Sequence, residues 1–547
     1  MADLETRRLE RLVDGLLAPW AGTDRPGVSV GVVRGEALLL HRSAGMASIE
    51  LGVPIGPATT FRIASVSKQF TCAAILLLAA EGRLSVGDEV RAHIPELADF
   101  GVRLTLDHLM HNTSGLRDML EIMRLGGTDL SHPVQPEDLM AGICRQRALN
   151  FAPGSRYLYS NTNFLLLGRI VERVSGLSLH DFLAARLLGP AGMTMTRMVE
   201  RTTELVPGLA TGYFPAAGGG WERAQHGFPV HGEGALVSSV EDLALWHRNY
   251  VTGRVGGAAL AAGLMEQADF TGGQTAGGQT AGGQTNGYAR GLAMARVRGL
   301  ATVSHGGLWP GYKTEFLRIP ERDEAVIVIS NNAVADPYHI GQRVLDALVE
   351  GVPGVHPVPA LPPRAALAAH VGRFLDEAVP ASVDFTLNEA GALLGSTNGV
   401  PFQVKAEPDG RRAASRSARD WTMRLSADGE ALEVELDAGA RATYRRITPE
   451  ASPPADLPGR YRTAEMGAVW TFAAAGTGMT VEVAGPLCNA GPWEVEALAD
   501  DIIRVYTPGT LFRGWQDVRV LRDSGGRITG LYLNGGRVKR LEFTRIE

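Results

Sequence analysis

Apolar residues along the chain follow a helical period in some segments and a strand period in others. Near the N-terminus they recur at helical spacing, at Leu9, Leu12, Val13, Leu16 and Leu17. This pattern predicts an amphipathic helix with one buried face. Residues 27–45, GVSVGVVRGEALLLHRSAG, contain two apolar runs around Gly35-Glu36. They predict a β-hairpin that turns at that dipeptide.

A second hairpin is predicted near the other end of this part of the chain. Residues 314–332, TEFLRIPERDEAVIVISNN, contain two apolar runs, and a helical pattern follows from about Pro337 to Glu350. Between the hairpins lie helical stretches that end at Gly82 and Gly176. Strands at both ends and helices in the middle indicate a mixed α/β domain whose sheet is built from both chain ends.

Two proline-rich segments, residues 351–364 and 448–459, are typical of linkers. They predict three domains, at 1–352, 365–448 and 457–547. A similar pattern follows each linker, beginning GRF at residue 372 and GRY at residue 459, and similar ends, ATYRRI and LEFTRI, close both segments. We therefore expect a duplicated unit of short antiparallel strands, as small barrels or sandwiches.

The glycine-rich repeat at residues 271–287, TGGQTAGGQTAGGQTNG, is of low complexity. Such a segment cannot build a packed core, and we expect a surface loop. We assign no chemistry to it.

Composition narrows the class of protein. The chain has 547 residues, of which 45% are hydrophobic and 20% charged, and a net charge of −6. These values are typical of a soluble globular protein and do not indicate a nucleic acid or a membrane as partner. Cys72, Cys144 and Cys488 are widely spaced, so neither a disulfide framework nor a zinc site is implied.

The N-terminal helix lacks the apolar core of a secretory signal. The most apolar stretch, residues 72–80, is about half of the ~20 residues that cross a bilayer. We therefore expect a cytoplasmic protein.

Ser65 and Lys68 are the first candidate catalytic pair. Lysine is scarce in this chain, which has only four, at Lys68, Lys313, Lys405 and Lys539. If a helix begins near Ser65, the i and i+3 positions share a face and the amine can reach the hydroxyl. Serine is a poor nucleophile without a base, and a buried lysine, unlike an arginine, can lose its proton. The motif by itself is short and has low specificity.

Tyr159 and Asn161 form a second candidate group within SRYLYSNTNF. On a loop the two side chains point the same way, so a phenol could relay a proton while an amide orients a substrate carbonyl. The alternative is structural: Asn161 or Asn163 caps a helix, and the aromatic residues pack beneath it.

A third candidate lies in SHGGLWPGY, residues 304–312. His305 offers a cationic or donor group, and the two glycines after it let a substrate backbone approach closely. The alternative is an ordinary turn.

The segment Gly27–Gly31 matches G-x-S-x-G, the nucleophile elbow of α/β-hydrolases, with Ser29 at its centre. That motif requires a strand, a sharp turn and a helix. Here a hairpin follows, so we interpret Ser29 as an ordinary strand residue.

In the order S-x-x-K, Y-x-N and H-x-G, the three candidates resemble the penicillin-recognising serine hydrolases, which include class C β-lactamases and DD-peptidases. LDHLMHNTSGLRD, residues 106–118, is similar to the family's His-Thr-Ser-Gly-Leu segment with Asn112 inserted. GEGALVSSVEDLALW, residues 232–246, is similar to its glycine-rich stretch before a helix. Within this family the chain most resembles D-aminopeptidases, which share SVSKQFTCA, SGLRD and the run at residues 153–164.

The resemblance covers essentially the whole chain and implies its fold. It implies an α/β, β-lactamase/DD-peptidase-like catalytic domain followed by two small antiparallel, lipocalin-like β-barrel domains. The second barrel would contribute a loop to the active site. The resemblance also suggests a homodimer.

The resemblance further implies a mechanism in which Ser65 attacks the carbonyl of an N-terminal D-residue in a small peptide or amide. Lys68 and Tyr159 move the proton, and water hydrolyses the acyl-enzyme. The backbone N–H groups of Ser65 and Leu308 form the oxyanion hole. Asn161 orients the substrate amide. No metal or cofactor is implied, and β-lactams are expected to inhibit.

His305 and Gly307 complete the implied substrate site. His305 stands where related β-lactamases have lysine, and this replacement weakens the case for binding a substrate carboxylate. An aminopeptidase does not need to bind one.

One segment departs from the D-aminopeptidase pattern. The expected specificity loop comprises Gly485, Pro486, Leu487, Cys488, Asn489, Ala490, Gly491, Pro492 and Trp493. In D-aminopeptidases an aspartate in this loop helps to recognise the free amine of the substrate, but here its place falls near Gly491 and the loop has no acidic residue. Either Glu494 or Glu496 takes that role, or the protein does not select for a free amine.

Four functions follow from these observations. A D-aminopeptidase agrees best with the motifs, and a carboxylesterase or broad amidase fits the missing aspartate. A β-lactamase or DD-carboxypeptidase is less favoured because His305 replaces lysine and no export signal is recognisable. A non-catalytic receptor is disfavoured because a binding module needs no base beside a serine.

Overall fold

The structure is a computed structural model. It describes residues 2–270, 274–275, 287–357, 367–389, 391–406, 412–415, 422–435, 441–448, 452–476, 478–509, 511 and 514–546. Most of the glycine-rich repeat at 271–287 lies outside the described residues. Residues 358–366 and 449–451 also lie outside them, so the limits of the three domains stay a prediction.

The chain forms two compact units. Unit 1 contains Met1–Pro95, Leu104–His111 and Asn163–Val358. Unit 2 contains Glu96–Arg103, Asn112–Thr162 and Pro359–Glu547. Residues 112–162 thus belong to the same unit as the C-terminal residues.

The helices of the described residues are α1 Ala2–Leu17, α2 Lys68–Ala80, α3 Val90–His93, α4 Leu106–Met110, α5 Met119–Leu125, α6 Pro136–Cys144, α7 Asn161–Ser175, α8 Leu179–Leu183, α9 Gly189–Ala191, α10 Val240–Thr252, α11 Gly257–Leu264 and α12 Pro337–Leu348. Short 3₁₀ turns span Ala18–Trp20, Ala64–Ser67 and Pro320–Arg322. A π-helical turn spans Ala184–Leu188.

The strands of unit 1 are β1 Val28–Arg34, β2 Ala37–Ala44, β3 Met46–Ser48, β4 Val53–Pro54, β5 Phe61–Arg62, β6 Arg197–Met198, β7 Tyr213–Pro215, β8 Trp221–Arg223, β9 Leu236–Ser238, β10 Asp269–Phe270, β11 Gln274–Thr275, β12 Gly287–Tyr288, β13 Ala293–Val297, β14 Leu300–Trp309, β15 Tyr312–Ile319 and β16 Glu324–Ser330. Both predicted hairpins are present as β1–β2 and β15–β16.

The main sheet of unit 1 is antiparallel, in the order β12-β13-β14-β15-β16-β1-β2. β1 pairs with β16 from Val28 opposite Ser330 to Arg34 opposite Glu324, so the prediction that both chain ends build this sheet is confirmed. β1 is buried along nearly all of its length. Its Gly31 is required by α10, because a Cβ there would lie 2.3 Å from Val240 Cγ1.

Ser29 is an ordinary strand residue of β1, as the hairpin pattern predicts. Its hydroxyl lies 2.8 Å from His41 Nε2 and 2.9 Å from Ser43 Oγ on the neighbouring strand β2. The side chain is 2% exposed. No strand-turn-helix elbow is built around it in the described residues 2–62.

Unit 2 contains two closed barrels, β17–β24 and β25–β32. Their strands are β17 Gly372–Asp376, β18 Ala381–Leu387, β19 Leu393–Thr397, β20 Val400–Ala406, β21 Arg412–Ser415, β22 Thr422–Leu425, β23 Ala431–Glu435, β24 Arg441–Ile447, β25 Gly459–Thr463, β26 Ala468–Ala475, β27 Gly478–Ala484, β28 Asn489–Ala499, β29 Ile502–Thr507, β30 Gly514–Arg522, β31 Ile528–Leu533 and β32 Leu541–Arg545. The repeated sequence patterns mark the first and last strand of each barrel, and of the two predicted architectures the barrel is confirmed.

Helix α5 packs against the second barrel. Ile122 and Leu125 belong to the same buried cluster as the core of that barrel. The indole Nε1 of Trp470 donates a hydrogen bond to the carbonyl oxygen of Leu125 at 3.0 Å. The segment 112–162 is therefore part of the packed core of unit 2.

A buried ionic network joins the two barrels. Arg504 of the second barrel donates to Asp384 of the first at 2.9 Å and to Ser382 at 2.6 Å. It also lies 3.3 Å from Asp517, which accepts from the Ser382 backbone N–H at 2.7 Å. Burial raises the pKa of the Asp517 carboxyl, and Arg504 is the cation that opposes this effect.

His247 of α10 is held in its neutral form inside unit 1. Arg318 donates to its Nδ1 at 3.2 Å, so Nε2 carries the proton and donates to the carbonyl oxygen of Asp323 at 3.1 Å. Burial and then the charge of Arg318 lower the pKa of His247 to about 4.

Replacing Arg504 with methionine leaves Asp517 buried without its cation, and we expect Arg504→Met to lower the free energy of unfolding by about 3–5 kcal/mol. Urea denaturation followed by tryptophan fluorescence measures the loss. Arg462→Met is the matched control, because Arg462 is exposed on β25 of the same barrel. Equal denaturation midpoints for Arg504→Met and the wild type would contradict a role of the network in stability.

The lowered pKa of His247 makes stability depend on pH. The pKa is about 4 in the folded protein against 6.5 for free imidazole, so this contribution is complete above pH 6.5 and is lost as the pH falls towards 4. The loss amounts to about 3 kcal/mol. In urea denaturation at pH 7.5 and 4.5, His247→Gln should remove that part of the difference, and an unchanged difference would refute this account.

Candidate active site

Ser65 lies in the 3₁₀ turn Ala64–Ser67, directly before helix α2. Within residues 61–70, Ser65 alone is not fully buried. The residue before it, Ala64, has a φ of 46°, which is a strained conformation for a residue with a Cβ. The turn therefore presents the serine hydroxyl while its neighbours are fixed in the core.

Lys68, the first residue of α2, has a side chain with no exposed surface. Its Nζ donates to Ser65 Oγ at 3.0 Å and to the backbone carbonyl oxygen of Glu233 at 2.6 Å. The amine also lies 5.2 Å from the centre of the Phe164 ring. Within unit 1 the Lys68 amine therefore contacts the Ser65 hydroxyl, as the i, i+3 spacing predicts.

The Glu233 side chain is a buried acid close to this amine, and no motif in the sequence points to it. Its Oε1 accepts from the backbone N–H of His231 at 3.1 Å, and its Oε2 has no hydrogen-bond partner among the described residues. Burial raises the pKa of the Glu233 carboxyl, although His231 and Lys68 oppose this effect.

His305, on β14, is also buried. Its Nδ1 lies 2.7 Å from the carbonyl oxygen of Gly306. Because a carbonyl only accepts, Nδ1 carries the proton, and Nε2 accepts from the hydroxyl of Tyr288 at 3.0 Å. Burial and then the charge of Lys68 lower the pKa of His305 to about 3. The sequence left open whether His305 is a cation or a neutral hydrogen-bond donor, and these contacts favour the neutral form.

Gly307 lets β14 approach the turn that holds Ser65. A Cβ at this position would lie 2.2 Å from the carbonyl oxygen of Ile63, a distance that no side chain tolerates. The next residue along β14 is Leu308, whose backbone N–H is the predicted second oxyanion donor. Its role in the oxyanion hole stays a prediction.

Tyr159 and Asn161 belong to unit 2, where Asp118 holds Asn161. The Oδ2 of Asp118 accepts from the backbone N–H of Asn161 at 2.7 Å and from its side-chain Nδ2 at 2.9 Å. Asn161 is the first residue of α7. The orientation of its amide group is therefore set by a buried carboxylate.

Asn112, the residue inserted relative to the family pattern, supports the backbone on either side of Tyr159. It adopts a φ of 57°, a left-handed conformation that asparagine tolerates. Its Oδ1 accepts from the Ser160 N–H at 3.0 Å, and its carbonyl oxygen accepts from the Leu158 N–H at 3.0 Å. The Tyr159 backbone is thus held from both neighbours.

Arg537 was missed by the sequence analysis. It lies in residues 534–540, which connect β31 to β32 and are called the 534–540 loop below. Its guanidinium carbon is 4.7 Å from the centre of the Tyr159 ring, and its Nη1 is 3.7 Å from Asp118 Oδ2. The sequence of this loop, NGGRVKR, is basic and rich in glycine, but nothing in it indicates a contact with Tyr159.

The predicted specificity loop at residues 485–493 is shorter than expected. Residues 485–488 form a turn closed by a hydrogen bond from the Gly485 N–H to the Cys488 carbonyl oxygen at 3.0 Å. Residues 489–493 belong to β28, and Trp493 is buried in the barrel core. The turn packs on the end of α5, since a Cβ on Gly485 would lie 1.8 Å from the Gly126 carbonyl oxygen. The role of this segment in specificity stays a prediction.

The two alternative acids differ in their surroundings. Glu496 is held within unit 2, because its carboxylate accepts from Arg373 at 2.9 Å and from the hydroxyl of Tyr506 at 2.6 Å. Glu494 is exposed on β28. Glu496 is therefore engaged by Arg373 of the first barrel and by Tyr506 of its own barrel.

Neither a metal site nor a membrane-spanning helix is found in the part of the chain that the structure describes. Across those residues, no group of three or more His, Cys, Asp or Glu side chains is arranged to hold a metal ion. In the same part of the chain, no helix is both long enough and apolar enough to cross a membrane.

Curated relatives of this chain carry the name D-aminopeptidase. The protein from Cereibacter sphaeroides is 26% identical over 563 residues, which cover 99% of this chain and 100% of the relative. The protein from Brucella anthropi is 25% identical over 564 residues and is covered in full, as is this chain. One from Gluconobacter oxydans is 29% identical over 353 residues, or 64% of each chain.

Solved structures show the same fold. The octameric penicillin-binding protein homologue from Pyrococcus abyssi has a TM-score of 0.56 at 21% identity, with 98% of this chain and 99% of that chain covered. A D-amino acid amidase from Ochrobactrum anthropi SV3 has a TM-score of 0.51 at 23% identity, with 62% and 98% covered. The family model described as Beta-lactamase matches residues 9–350, which is more than half of the chain, and the chain therefore belongs to the β-lactamase family.

Proposed function

We propose that this protein is a serine hydrolase that releases N-terminal D-amino acids such as D-alanine from small peptides or amides through an acyl-enzyme. The observation that carries the proposal is the 3.0 Å hydrogen bond between the Lys68 Nζ and the Ser65 Oγ, with the lysine fully buried. A buried amine against a serine hydroxyl is the arrangement that activates a weak nucleophile.

The proposed reaction uses five of the predicted residues. The Ser65 Oγ attacks the substrate carbonyl while Lys68 and Tyr159 move its proton, first away from the hydroxyl and then to the leaving amine. The N–H groups of Ser65 and Leu308 stabilise the oxyanion, a contribution of about 3 kcal/mol per donor in other enzymes. Asn161 orients the substrate amide, and water then hydrolyses the acyl-enzyme.

Two observations support an aminopeptidase over a carboxypeptidase. Relatives aligned over essentially the full chain are named D-aminopeptidases. In addition, His305 is neutral, with a pKa of about 3, so it supplies no positive charge to bind the terminal carboxylate of a substrate. β-Lactamase or DD-carboxypeptidase activity is correspondingly less favoured.

A carboxylesterase or broad amidase is the second candidate function. The absence of an acidic residue from 485–493 favours it, because a free amine is best recognised by a carboxylate. The contacts of Glu496 with Arg373 and Tyr506 add to this argument. Cytoplasmic location and a homodimer remain predictions from the sequence and the family resemblance.

A substrate panel distinguishes the two candidates. We expect D-alanine p-nitroanilide to be hydrolysed at least about tenfold faster than its L-isomer and its N-acetylated form, since a tenfold difference corresponds to about 1.4 kcal/mol of selective binding. Equal rates on all three anilides would exclude the aminopeptidase. Much faster hydrolysis of p-nitrophenyl esters than of any anilide would instead establish the esterase.

Loss of the Ser65 hydroxyl should abolish catalysis. We expect Ser65→Ala to lower kcat/KM by at least about 10³-fold, and Ser29→Ala to leave it nearly unchanged as the matched control. A penicillin should acylate Ser65 and add its mass to the intact protein in mass spectrometry. An adduct of the same yield on Ser65→Ala would contradict the assignment of the nucleophile.

A further inference from the structure

We propose that Arg537, carried by the second barrel, is a positioning residue that stabilises the phenolate form of Tyr159 during proton transfer. This inference rests on the proposed function, because it assigns a partner to the tyrosine of that reaction. It adds the 534–540 loop to the segments on which catalysis depends. All of the residues that carry it belong to unit 2.

The guanidinium lies close to the aromatic ring. Its carbon is 4.7 Å from the centre of the Tyr159 ring, within the ~6 Å range of a cation–π contact. The side chain is 35% exposed. A cation at this distance attracts the ring in either state and attracts a phenolate oxygen more strongly than a neutral hydroxyl.

The electrostatic balance of Arg537 agrees with this pairing. Burial lowers the pKa of its guanidinium, but the charge of Asp118 and then the phenol of Tyr159 oppose this effect, and the net pKa lies above its ordinary value. The interaction is reciprocal, because a phenolate that stabilises the guanidinium charge is stabilised by it to the same extent.

The other charged groups near Arg537 do not offer the same help to a phenolate. Asp118 and Glu121 are acidic, and Tyr157 is a second phenol. Arg124 is another neighbouring cation, but it donates to Thr507 of the second barrel. Arg537 thus places a positive charge over the Tyr159 ring, whereas the two acidic neighbours would oppose negative charge there.

The backbone around Arg537 is held by hydrogen bonds that do not involve the arginine side chain. Glu121 accepts from the Gly536 N–H at 3.1 Å and from the Arg537 N–H. Asn150 Nδ2 donates to the Arg537 carbonyl oxygen at 3.0 Å, and Arg117 donates to the Arg540 carbonyl oxygen at 2.9 Å. Because substitution of the arginine leaves these contacts in place, the loop should keep its conformation in the variants.

The chemical step is a proton transfer that balances within the reaction. With the Lys68 amine hydrogen-bonded to Ser65 Oγ, the proton of the Ser65 hydroxyl passes to the Tyr159 phenolate as Oγ bonds to the substrate carbonyl carbon. The neutral phenol then gives that proton to the leaving nitrogen as the C–N bond breaks, which restores the phenolate. Arg537 does not change its own protonation, and it lowers the energy of the state in which the tyrosine is charged.

The test compares three variants. Arg537→Met removes the charge but keeps a long apolar side chain over the ring, and Arg537→Lys keeps the charge. Arg545→Met is the matched control, because Arg545 lies 5.6 Å from the centre of another tyrosine ring, that of Tyr461, in the same barrel. The pH dependence of kcat/KM is measured from pH 5 to 10 on whichever anilide or ester the wild type hydrolyses best.

For Arg537→Met we expect the acidic limb of the profile to move up by about one pH unit, with a loss of about tenfold on that limb. The rate should recover above the limb. Arg537→Lys should shift the limb by less, and Arg545→Met should superimpose on the wild type. A loss of equal size at every pH, or no loss in Arg537→Met, would overturn the proposal.

A second measurement does not depend on activity. In protein labelled with ¹³C at the ζ carbon of tyrosine, the resonance missing from Tyr159→Phe identifies Tyr159, and its titration midpoint should move to higher pH in Arg537→Met. If the wild type hydrolyses no substrate of the panel, the proposed function fails while this shift still tests the pairing. An unchanged midpoint in Arg537→Met overturns it.

Discussion

The complete burial of the Lys68 side chain constrains most of the candidate site in unit 1. An amine taken out of water must be hydrogen-bonded to be tolerated, and Lys68 meets this need through Ser65 Oγ and the Glu233 carbonyl oxygen. Ala64, the residue before Ser65, adopts a left-handed conformation with a φ of 46°. The closeness of β14 requires the missing Cβ of Gly307.

The same burial determines the charge of the neighbouring groups. His305 is neutral because it is buried and because Lys68 disfavours a second positive charge. Its tautomer follows from the Gly306 carbonyl oxygen, which forces the proton onto Nδ1. Burial likewise favours the neutral form of the Glu233 carboxyl. Burial in unit 1 therefore favours the neutral forms of both groups beside the amine.

In unit 2 the second barrel is packed against the part of the chain that contains Tyr159 and Asn161. That barrel shares a hydrophobic core with α5, and the 534–540 loop is tied to Glu121 and Asn150 by backbone hydrogen bonds. Residues 112–162, which include α5, also contain Tyr159 and Asn161. The barrel is thus part of the structure that orients these two residues, and it places the guanidinium of Arg537 against one of them.

The sequence by itself determined the local elements: both hairpins, the helices Ala2–Leu17, Lys68–Ala80, Asn161–Ser175 and Pro337–Leu348, the repeated unit of short antiparallel strands, and the i, i+3 spacing of Ser65 and Lys68. Each of these depends on residues close together in the chain or on a repeated pattern. Only the tertiary structure decided that His305 is neutral, that residues 489–493 are strand, and that Arg537 covers Tyr159. These features arise from burial and from contacts between segments that are distant in sequence, which no local period encodes.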